Sequence, residues 1–438
     1  MLRSTRTPLL AVCLALLIAS LLLASVLAAD THGLSPNWDT PAVQVSSGAA
    51  GVSSTGGVGR KLAVDPQNRL HIVWTEQTLS PQRFDIYYAR STDGGKTWTT
   101  GREIVGGSDL PAIGPNIAVD RSGTLHLAWI DLRGGTPYRV YYSRSFDGGD
   151  TWEEPRPVSS LSETLDAAVP SISVDTSGRV HLAWHVGNPD QDSTIAQVYY
   201  TRSTDGGDTF EEPRRLNTDL SHHAAWPRFS VEGTSGDVVA IAWRDNRRDP
   251  DWDVYMAIST DGGQTFVEQA VQATSARDWD PDVLVDAFGV IHLSYTTFPD
   301  TEDTEPSVGY RFSTDQGQSW SDPLVLSEAR SMLSSWAYDP SGKRLWLWWK
   351  DERDADPPPS EEKRSDVVAK YSTDGGLTWS ELQFVTDEGD AEVYFPGMAL
   401  GADGRAYAMW SIEVEPGRNV VYARSEVYQI FLTLITSN

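Results

Sequence analysis

Three Asp-x-Arg triplets, each beginning two residues after a tryptophan, are the clearest candidates for binding chemistry. They are Asp131 with Arg133, Asp245 with Arg247, and Asp351 with Arg353. A guanidinium binds a carboxylate through two parallel hydrogen bonds, so some of these arginines could converge with Arg60 and Arg228 on an anionic ligand. Alternatively, each arginine pairs with a local carboxylate and braces its own loop. The spacing leaves both interpretations open.

Aromatic residues near these arginines are candidates for stacking on sugar rings. Trp226 and Trp279 precede recurring apolar segments, where they could also pack inside the fold. Metal ligation has less support, because His222 and His223 lack a clear carboxylate partner and the acidic run from Asp278 to Asp282 lacks regular ligand spacing. We therefore expect no metal site and no cofactor.

A repeated turn indicates the elements that position these residues. The segment Ser91–Trp98 reads Ser-Thr-Asp-Gly-Gly-Lys-Thr-Trp, and similar boxes place an aspartate at positions 93, 147, 205, 261, 315 and 374. A period of 54 to 59 residues suits one four-stranded blade of a β-propeller. Before each box, period-two apolar segments with Gly and Asp at their breaks indicate antiparallel strands.

The number of repeats sets the number of blades. The strand pattern occurs seven times, and its last copy, from Met398 to Arg424, has no box and no following outer strand. The segment Trp38–Ser47 resembles the outer strand of the other copies. We therefore predict an all-β, seven-bladed propeller of four-stranded antiparallel blades, closed by an N-terminal strand, with six blades as the alternative.

The box itself is predicted to be a structural turn. Its aspartate is expected to accept amide hydrogens of the turn, and the aromatic residue that follows is expected to pack beneath it. The second glycine recurs in all six boxes, whereas Gln316 replaces the first glycine in one of them. This pattern predicts that only the second glycine requires a positive φ.

The ends of the chain suggest export. Residues 1–29 contain Arg3, Arg6 and a long apolar run, typical of a signal peptide or an N-terminal membrane anchor. Residues 30–428 are expected to form the propeller, and residues 429–438 a short apolar tail. The only cysteine, Cys13, lies in the leader, so the mature domain is expected to have no disulfide. We predict a secreted or cell-surface monomer.

The net charge narrows the classes of partner. A formal charge of −26 disfavours binding to nucleic acid and to anionic membrane surfaces. The propeller is therefore expected to contact a membrane only through an uncleaved N-terminal anchor. A glycan or an extracellular protein is the partner that we expect.

The boxes resemble the repeats of bacterial neuraminidases, and the chain resembles the sialidase superfamily over nearly all of the mature sequence. The resemblance implies an arginine cluster for the substrate carboxylate, a tyrosine nucleophile with a glutamate partner, and an aspartate acid and base. Arg60 matches the first arginine, whereas Thr78 stands where the second is expected. Tyr394, Glu392 and Asp85 are the candidates for the nucleophile, its base and the acid.

Three functions follow from these interpretations. The first is recognition of a glycan or another extracellular ligand on the loop face, opposite the boxes, where the variable loops lie. The second is exo-α-sialidase or a related retaining glycoside hydrolase activity. The third is a protein-interaction scaffold at the cell surface. The resemblance alone does not decide among them, because one fold hosts many functions.

Overall fold

The computed structural model describes residues 38, 42–46, 51–52, 60–79, 82–106, 110–159, 164–191, 194–231, 237–248, 251–298, 305–327, 330–339, 344–352, 365–386, 392–415 and 418–426. The chain divides into two compact units. Residues 40–425 form one, and residues 1–39 with 426–438 form the other, of which Trp38 and Glu426 are described. The predicted leader and apolar tail lie outside the described residues. No described segment forms an apolar helix long enough to cross a bilayer.

The larger unit begins with β1 (Val43–Gln44), followed by the strands of the first three blades. Blade 1 contains β2 (Gly51–Val52), β3 (Leu62–Val64), β4 (Leu70–Leu79), β5 (Gln82–Ser91) and β6 (Arg102–Val105). Blade 2 contains β7 (Ala112–Val119), β8 (Leu125–Asp131), β9 (Arg139–Ser145) and β10 (Arg156–Pro157). Blade 3 contains β11 (Ala167–Val174), β12 (Val180–Val186), β13 (Gln197–Ser203) and β14 (Arg214–Arg215).

Four more blades complete the series. Blade 4 contains β15 (Ala224–Arg228), β16 (Val239–Asp245), β17 (Asp253–Ser259) and β18 (Val267–Gln272). Blade 5 contains β19 (Arg277–Val285), β20 (Ile291–Phe298), β21 (Ser307–Ser313) and β22 (Leu324–Val325). Blade 6 contains β23 (Ser331–Asp339), β24 (Arg344–Asp351), β25 (Asp366–Ser372) and β26 (Gln383–Phe384), and blade 7 contains β27 (Val393–Leu400), β28 (Ala406–Glu415) and β29 (Arg418–Ser425).

The N-terminal strand β1 supplies the outer strand of blade 7. Val43 pairs with Ala423 and Gln44 with Tyr422, and the backbone N–H of Val45 donates to the carbonyl of Val421 over 2.8 Å. The seven-bladed all-β prediction is therefore confirmed, and the six-bladed alternative is wrong. Blade 7 has no box, and no outer strand follows β29 among the described residues, so its outer strand had to come from elsewhere in the chain. β1 provides that strand.

The core lies between neighbouring blades. In blades 2 to 7 the second strand in chain order is buried over most of its length, because each of its faces packs against another sheet. In β8 all seven residues are buried. Leu182 and Trp184 of blade 3 share an apolar cluster with Val140 and Tyr142 of blade 2. The alternation of apolar and polar residues is consequently weak in these strands, whose sequences are nearly continuous apolar runs.

Each box is a turn held by its own side chains, as predicted. Asp93 accepts the backbone N–H of Thr97 over 2.9 Å and its hydroxyl over 2.6 Å, and these hydrogen bonds hold the pKa of the carboxyl at about 2. Four box aromatics pack edge-on against a tyrosine of the preceding blade; the pairs are Trp152 with Tyr88, Phe210 with Tyr142, Phe266 with Tyr200, and Trp379 with Tyr310. The boxes therefore join neighbouring blades.

One prediction about the box is wrong. The first glycine also has a positive φ, 69° at Gly206, and its replacement Gln316 has 61°. In the third box the two glycines differ in the space around them: a Cβ at Gly207 would lie 2.1 Å from the hydroxyl of Tyr142, whereas nothing lies within 4 Å of one at Gly206. Close packing, in addition to φ, excludes a side chain at the second position.

A bulge near the start of the first strand re-aims side chains on the loop face. The register shifts at this point in blades 2 to 7, for instance between Ala225 and Arg228. The bulge residue has a positive φ at Gly114 and at four residues with side chains, which are Val169, Trp226, Asp280 and Leu333. Such angles are costly for these residues, and bulges of this kind concentrate beside functional sites.

Candidate functional site

Basic side chains meet in the central channel near its loop-face mouth. Arg228 follows the bulge of β15, while Arg60 and Lys61 precede β3 of blade 1. Lys61 is 5% exposed, and burial together with the charge of Arg228 lowers its pKa to about 7. Burial also lowers the pKa of Arg228, and the charge of Arg60 adds to that effect. Arg228 of blade 4 is therefore coupled electrostatically to Arg60 and Lys61 of blade 1.

Two carboxylates of blade 5 partly balance these cations. The charges of Asp282 and Asp280 raise the pKa of Arg228, against the effect of burial. Asp282 accepts the hydroxyl of Ser335 and, over 2.9 Å, the backbone N–H of Val283. A small cavity lies against Arg228 and Asp280; its other lining residues are Trp226, Pro281, Leu333 and Ser334. The cavity therefore combines one cation, one acid and an aromatic ring, with Asp282 acting on the same cation.

Arg244 is enclosed by three tryptophans beside this mouth. Its Cζ lies 3.1 Å from the ring centroid of Trp226, 4.7 Å from that of Trp252 and 5.0 Å from that of Trp279. Arg244 is buried, which lowers its pKa to about 10. One face of Trp226 is thus occupied by a guanidinium, an interaction that stabilises both groups. Trp226 and Trp279, the two tryptophans considered as candidates for stacking on sugar rings, both contact this guanidinium.

The Asp-x-Arg triplets form local pairs. Arg133 Nε lies 2.8 Å from Asp131 Oδ2, and Arg247 Nη2 lies 2.7 Å from Asp245 Oδ2 and 2.5 Å from Glu268 Oε1. Arg353 lies outside the described residues. Arg133 and Arg247 are therefore held by carboxylates of their own blades, which is the bracing alternative left open by the sequence.

The aspartates of these triplets have a second structural contact. Their carboxylates accept the indole N–H of the preceding tryptophan over 2.8, 3.1 and 3.3 Å; the pairs are Trp129 with Asp131, Trp243 with Asp245, and Trp349 with Asp351. Glu76 accepts the indole of Trp74 in the same way in blade 1. The recurrence of the acid two residues after the tryptophan is thus explained by a buried hydrogen bond.

Tyr394 and Glu392 form a close pair at the start of β27. The phenol hydroxyl donates to Glu392 Oε2 over 2.6 Å, and Lys350 Nζ donates to Glu392 Oε1 over 2.9 Å. Burial and the adjacent Glu392 carboxylate raise the pKa of Tyr394. A base in contact with a hydroxyl is the arrangement required of an activated nucleophile, although Lys350 shares the charge of that base.

Asp85 lies in a separate acidic cluster on blade 1. It pairs across the strands with Glu76, it is 1% exposed, and Arg83 Nη2 lies 3.1 Å from its Oδ2. Burial, followed by the charge of Glu103, raises the pKa of Asp85. The charged groups that act on Asp85 differ from those around Tyr394, so the structure presents these two candidate catalytic residues in different surroundings.

Sequence reasoning missed Lys61, Arg244, Trp252 and Lys350. A signal existed for the first, because Lys61 occupies the strand position of Arg228 in the repeat: each lies just before the apolar stretch of its first strand. Arg244 and Lys350 also share a position, directly before the aspartates of two Asp-x-Arg triplets. Aligning the repeats by strand register would have identified both pairs.

Comparisons with known proteins agree with this fold. A model of the BNR repeat-like domain matches residues 134–408, more than half of the 438-residue chain, and a model of the BNR/Asp-box repeat matches residues 89–100. No curated protein matches the sequence.

Solved structures with a similar fold include enzymes of two classes. An ulvan lyase of polysaccharide lyase family PL25 has a TM-score of 0.59 at 13% identity, over 88% of this chain and 96% of that chain. The endosialidase of phage phi92 has a TM-score of 0.51 at 10% identity, over 92% and 71%.

A protein of unknown function from Dyadobacter fermentans has a TM-score of 0.53 at 15% identity, over 73% of this chain and 95% of that chain. These likenesses are likenesses of fold. Together with the matched domain model and the repeated boxes, they confirm the resemblance to sialidase-type propellers, and the chain belongs to the BNR repeat-like domain family.

Proposed function

We propose that this propeller binds an acidic glycan at the loop-face mouth of its channel. The observation that carries the proposal is the meeting of Arg60, Lys61 and Arg228, contributed by blades 1 and 4, in a chain whose net charge is −26. Lys61 and Arg228, whose pKa values are lowered by burial and by a neighbouring positive charge, gain from an anion, because its charge offsets both effects. Carboxylate and sulfate groups of sugars have the required charge and geometry.

Aromatic rings beside the cations favour a sugar over a small inorganic anion. Trp226 lines the same cavity as Arg228, and its ring is partly exposed although Arg244 contacts one face. An indole offers an apolar surface for the C–H face of a sugar ring, while Arg228 takes the acidic group. The ulvan lyase of similar fold is bound to -[GlcA(1-4)Rha3S]-, but this proposal depends on the residues of the present chain. Export, as predicted from residues 1–29, is part of the proposal.

The test compares an arginine at the mouth with a locally paired one. Arg228→Ala should weaken binding of acidic oligosaccharides at least about tenfold, the loss expected when one charged hydrogen bond is removed. Arg133→Ala should leave binding unchanged, because Arg133 pairs with Asp131. Affinities would be measured by calorimetry for uronate, sulfated, sialylated and neutral oligosaccharides. Equal affinities of both variants and the unsubstituted protein for every acidic ligand would reject the proposal.

A retaining glycoside hydrolase is the second candidate, favoured by the 2.6 Å hydrogen bond from Tyr394 to Glu392. If Tyr394 is the nucleophile, the protein should cleave fluorogenic sialosides and Tyr394→Phe should abolish cleavage while retaining ligand affinity. The absence of any sialoside cleavage by the unsubstituted protein would reject the sialidase form of this candidate and leave the binding proposal standing.

A further inference from the structure

Two buried carboxylates lie where blades 4 and 5 meet on the loop face, outside the channel mouth. Asp253 begins β17 and is 1% exposed, and Asp278 is the second residue of β19 and is 0% exposed. The backbone N–H of Asp278 donates to the carbonyl of Trp252, next to Asp253, over 2.7 Å. This hydrogen bond brings the two acids close enough for the charge of Asp253 to act on Asp278.

Each of these carboxylates has one oxygen without a hydrogen-bond donor among the described residues. They are Oδ2 of Asp253 and Oδ1 of Asp278, and both are inaccessible to solvent. The hydroxyl of Thr274 donates to the other oxygen of Asp278 over 3.2 Å. Arg248 Nη1 lies 3.4 Å from the other oxygen of Asp253, but this arginine side chain is 47% exposed. Buried carboxylate oxygens without a donor are costly, so a ligand that supplies positive charge would stabilise them.

Polar side chains surround Asp278. The hydroxyls of Thr297 and Thr274 and the side-chain amide of Gln272 donate hydrogen bonds to its carboxyl, while Gln272 Oε1 lies 3.4 Å from Arg311 Nη1. Among the described residues, no group of three or more His, Cys, Asp or Glu side chains is arranged to hold a metal, so this set offers two carboxylates and neutral oxygens. Hard cations, Ca²⁺ above all, prefer oxygen ligands of this kind.

We propose that Asp253 and Asp278 bind a Ca²⁺ ion, with the hydroxyl oxygens of Thr274 and Thr297 available as further ligands. The acidic run from Asp278 to Asp282 is therefore not one site. Asp280 and Asp282 face Arg244 and Arg228, and only Asp278 turns to Asp253.

A cation here would fix one wall of the ligand site. Trp252 directly precedes Asp253, and its ring packs against Trp226 with centroids 6.4 Å apart and against Arg244. Binding Ca²⁺ between β17 and β19 would hold the loop that carries Trp252. The inference does not depend on the glycan proposal, because it concerns different residues and a different ligand.

Terbium luminescence provides the test, since Tb³⁺ replaces Ca²⁺ at oxygen sites and is excited by a nearby tryptophan such as Trp252. We expect sensitised emission from the unsubstituted protein, lost on addition of Ca²⁺. Asp278→Asn and Asp253→Asn should each weaken Tb³⁺ binding at least about tenfold, because each removes a charged ligand. Asp251→Asn removes a charge that acts on Asp253 but removes none of the proposed ligands, so it should weaken binding much less than either ligand variant.

Thermal unfolding provides an independent readout. Ca²⁺ should raise the Tm of the unsubstituted protein and of Asp251→Asn, because a ligand that binds the folded state stabilises it, and should not raise that of Asp278→Asn. Circular dichroism in the presence of a chelator would show whether the variants fold. If Asp278→Asn does not fold, Asp253→Asn takes its place in the test. The proposal is overturned if millimolar Ca²⁺ leaves the Tm of the unsubstituted protein unchanged, or if both variants keep its Tb³⁺ affinity.

Discussion

Single residues in the boxes show how one position can be constrained by φ alone and its neighbour by φ and packing together. Gly206 and Gly207 both have a positive φ, but only Gly207 faces the hydroxyl of Tyr142 from the preceding blade. The same contact recurs at Gly149, Gly263 and Gly376 with the tyrosines of their own neighbours. Gln316 has a positive φ at the first position, so the fold tolerates the energetic cost of that angle there.

Alanine at these two glycines should therefore have unequal effects. Gly206→Ala should cost about 1 to 2 kcal/mol of unfolding free energy, the penalty of a left-handed residue with a side chain. Gly207→Ala should cost clearly more, because its Cβ would lie 2.1 Å from the Tyr142 hydroxyl and either the ring or the turn must move. Urea denaturation of both variants measures the difference. Equal losses would show that the tyrosine adapts without cost.

Neighbouring blades are joined by a recurring hydrogen-bonded chain of side chains. In blade 1, Asp65 contacts His71 Nε2 at 3.3 Å, His71 Nδ1 contacts the Tyr88 hydroxyl at 2.8 Å, and Tyr88 donates to the carbonyl of Gly148 in the box of blade 2 over 2.9 Å. Blade 3 repeats the first two contacts through Asp175, His181 and Tyr200. The histidines at this strand position thus have a structural role.

Protonation of these histidines should weaken the fold. Burial lowers the pKa of His181 below its usual value, so the neutral ring stabilises the folded state above the ordinary histidine range, and that stability is lost as the pH falls. The stability advantage of the unsubstituted protein over His181→Gln should shrink by up to about 1.4 kcal/mol per pH unit below about pH 6.5. Chemical denaturation from about pH 8 to about pH 5 measures it. A constant difference between the two proteins would contradict this assignment.

The whole ring depends on a contact between the two ends of the propeller sequence. Val45 is 6% exposed and shares an apolar cluster with Leu62, Val421 and Ala423, so the segment after β1 joins blade 7 to blade 1. Closure removes the exposed sheet edge that blade 7 would otherwise have. The stability of the entire molecule, and not only of one blade, is expected to depend on this short segment.

Disrupting the closure should destabilise the ring strongly. Val45→Asp buries a carboxylate in an apolar cluster and should cost about 3 kcal/mol or more, lowering the Tm. Gln44→Ala should change the free energy of unfolding by less than about 0.5 kcal/mol, because the Gln44 side chain is exposed. Scanning calorimetry compares the two variants with the unsubstituted protein. A Tm for Val45→Asp that matches that of Gln44→Ala would show that the ring does not need this contact.

The sequence determined the repeat, the blade number and the structural role of the boxes. Period, turn chemistry and strand patterning are local properties, so six boxes and a seventh unit without an outer strand were sufficient to predict the ring and its closure. The sequence also indicated that Trp226 and Arg228 lie on the loop face. It did not determine what Arg133 and Arg247 contact, because an arginine can reach several carboxylates and only the folded geometry selects one.

Only the tertiary structure decided which side chains meet across the ring. Lys61 and Arg228 are far apart in the chain and face one another because blades 1 and 4 lie across the same channel. Asp253 and Asp278 are neighbours through the contact between blades 4 and 5, although Asp280 and Asp282, closer to Asp278 in sequence, turn to the channel. A bulge and its positive φ re-aim these side chains, and such a change of direction has no periodic signature in the sequence.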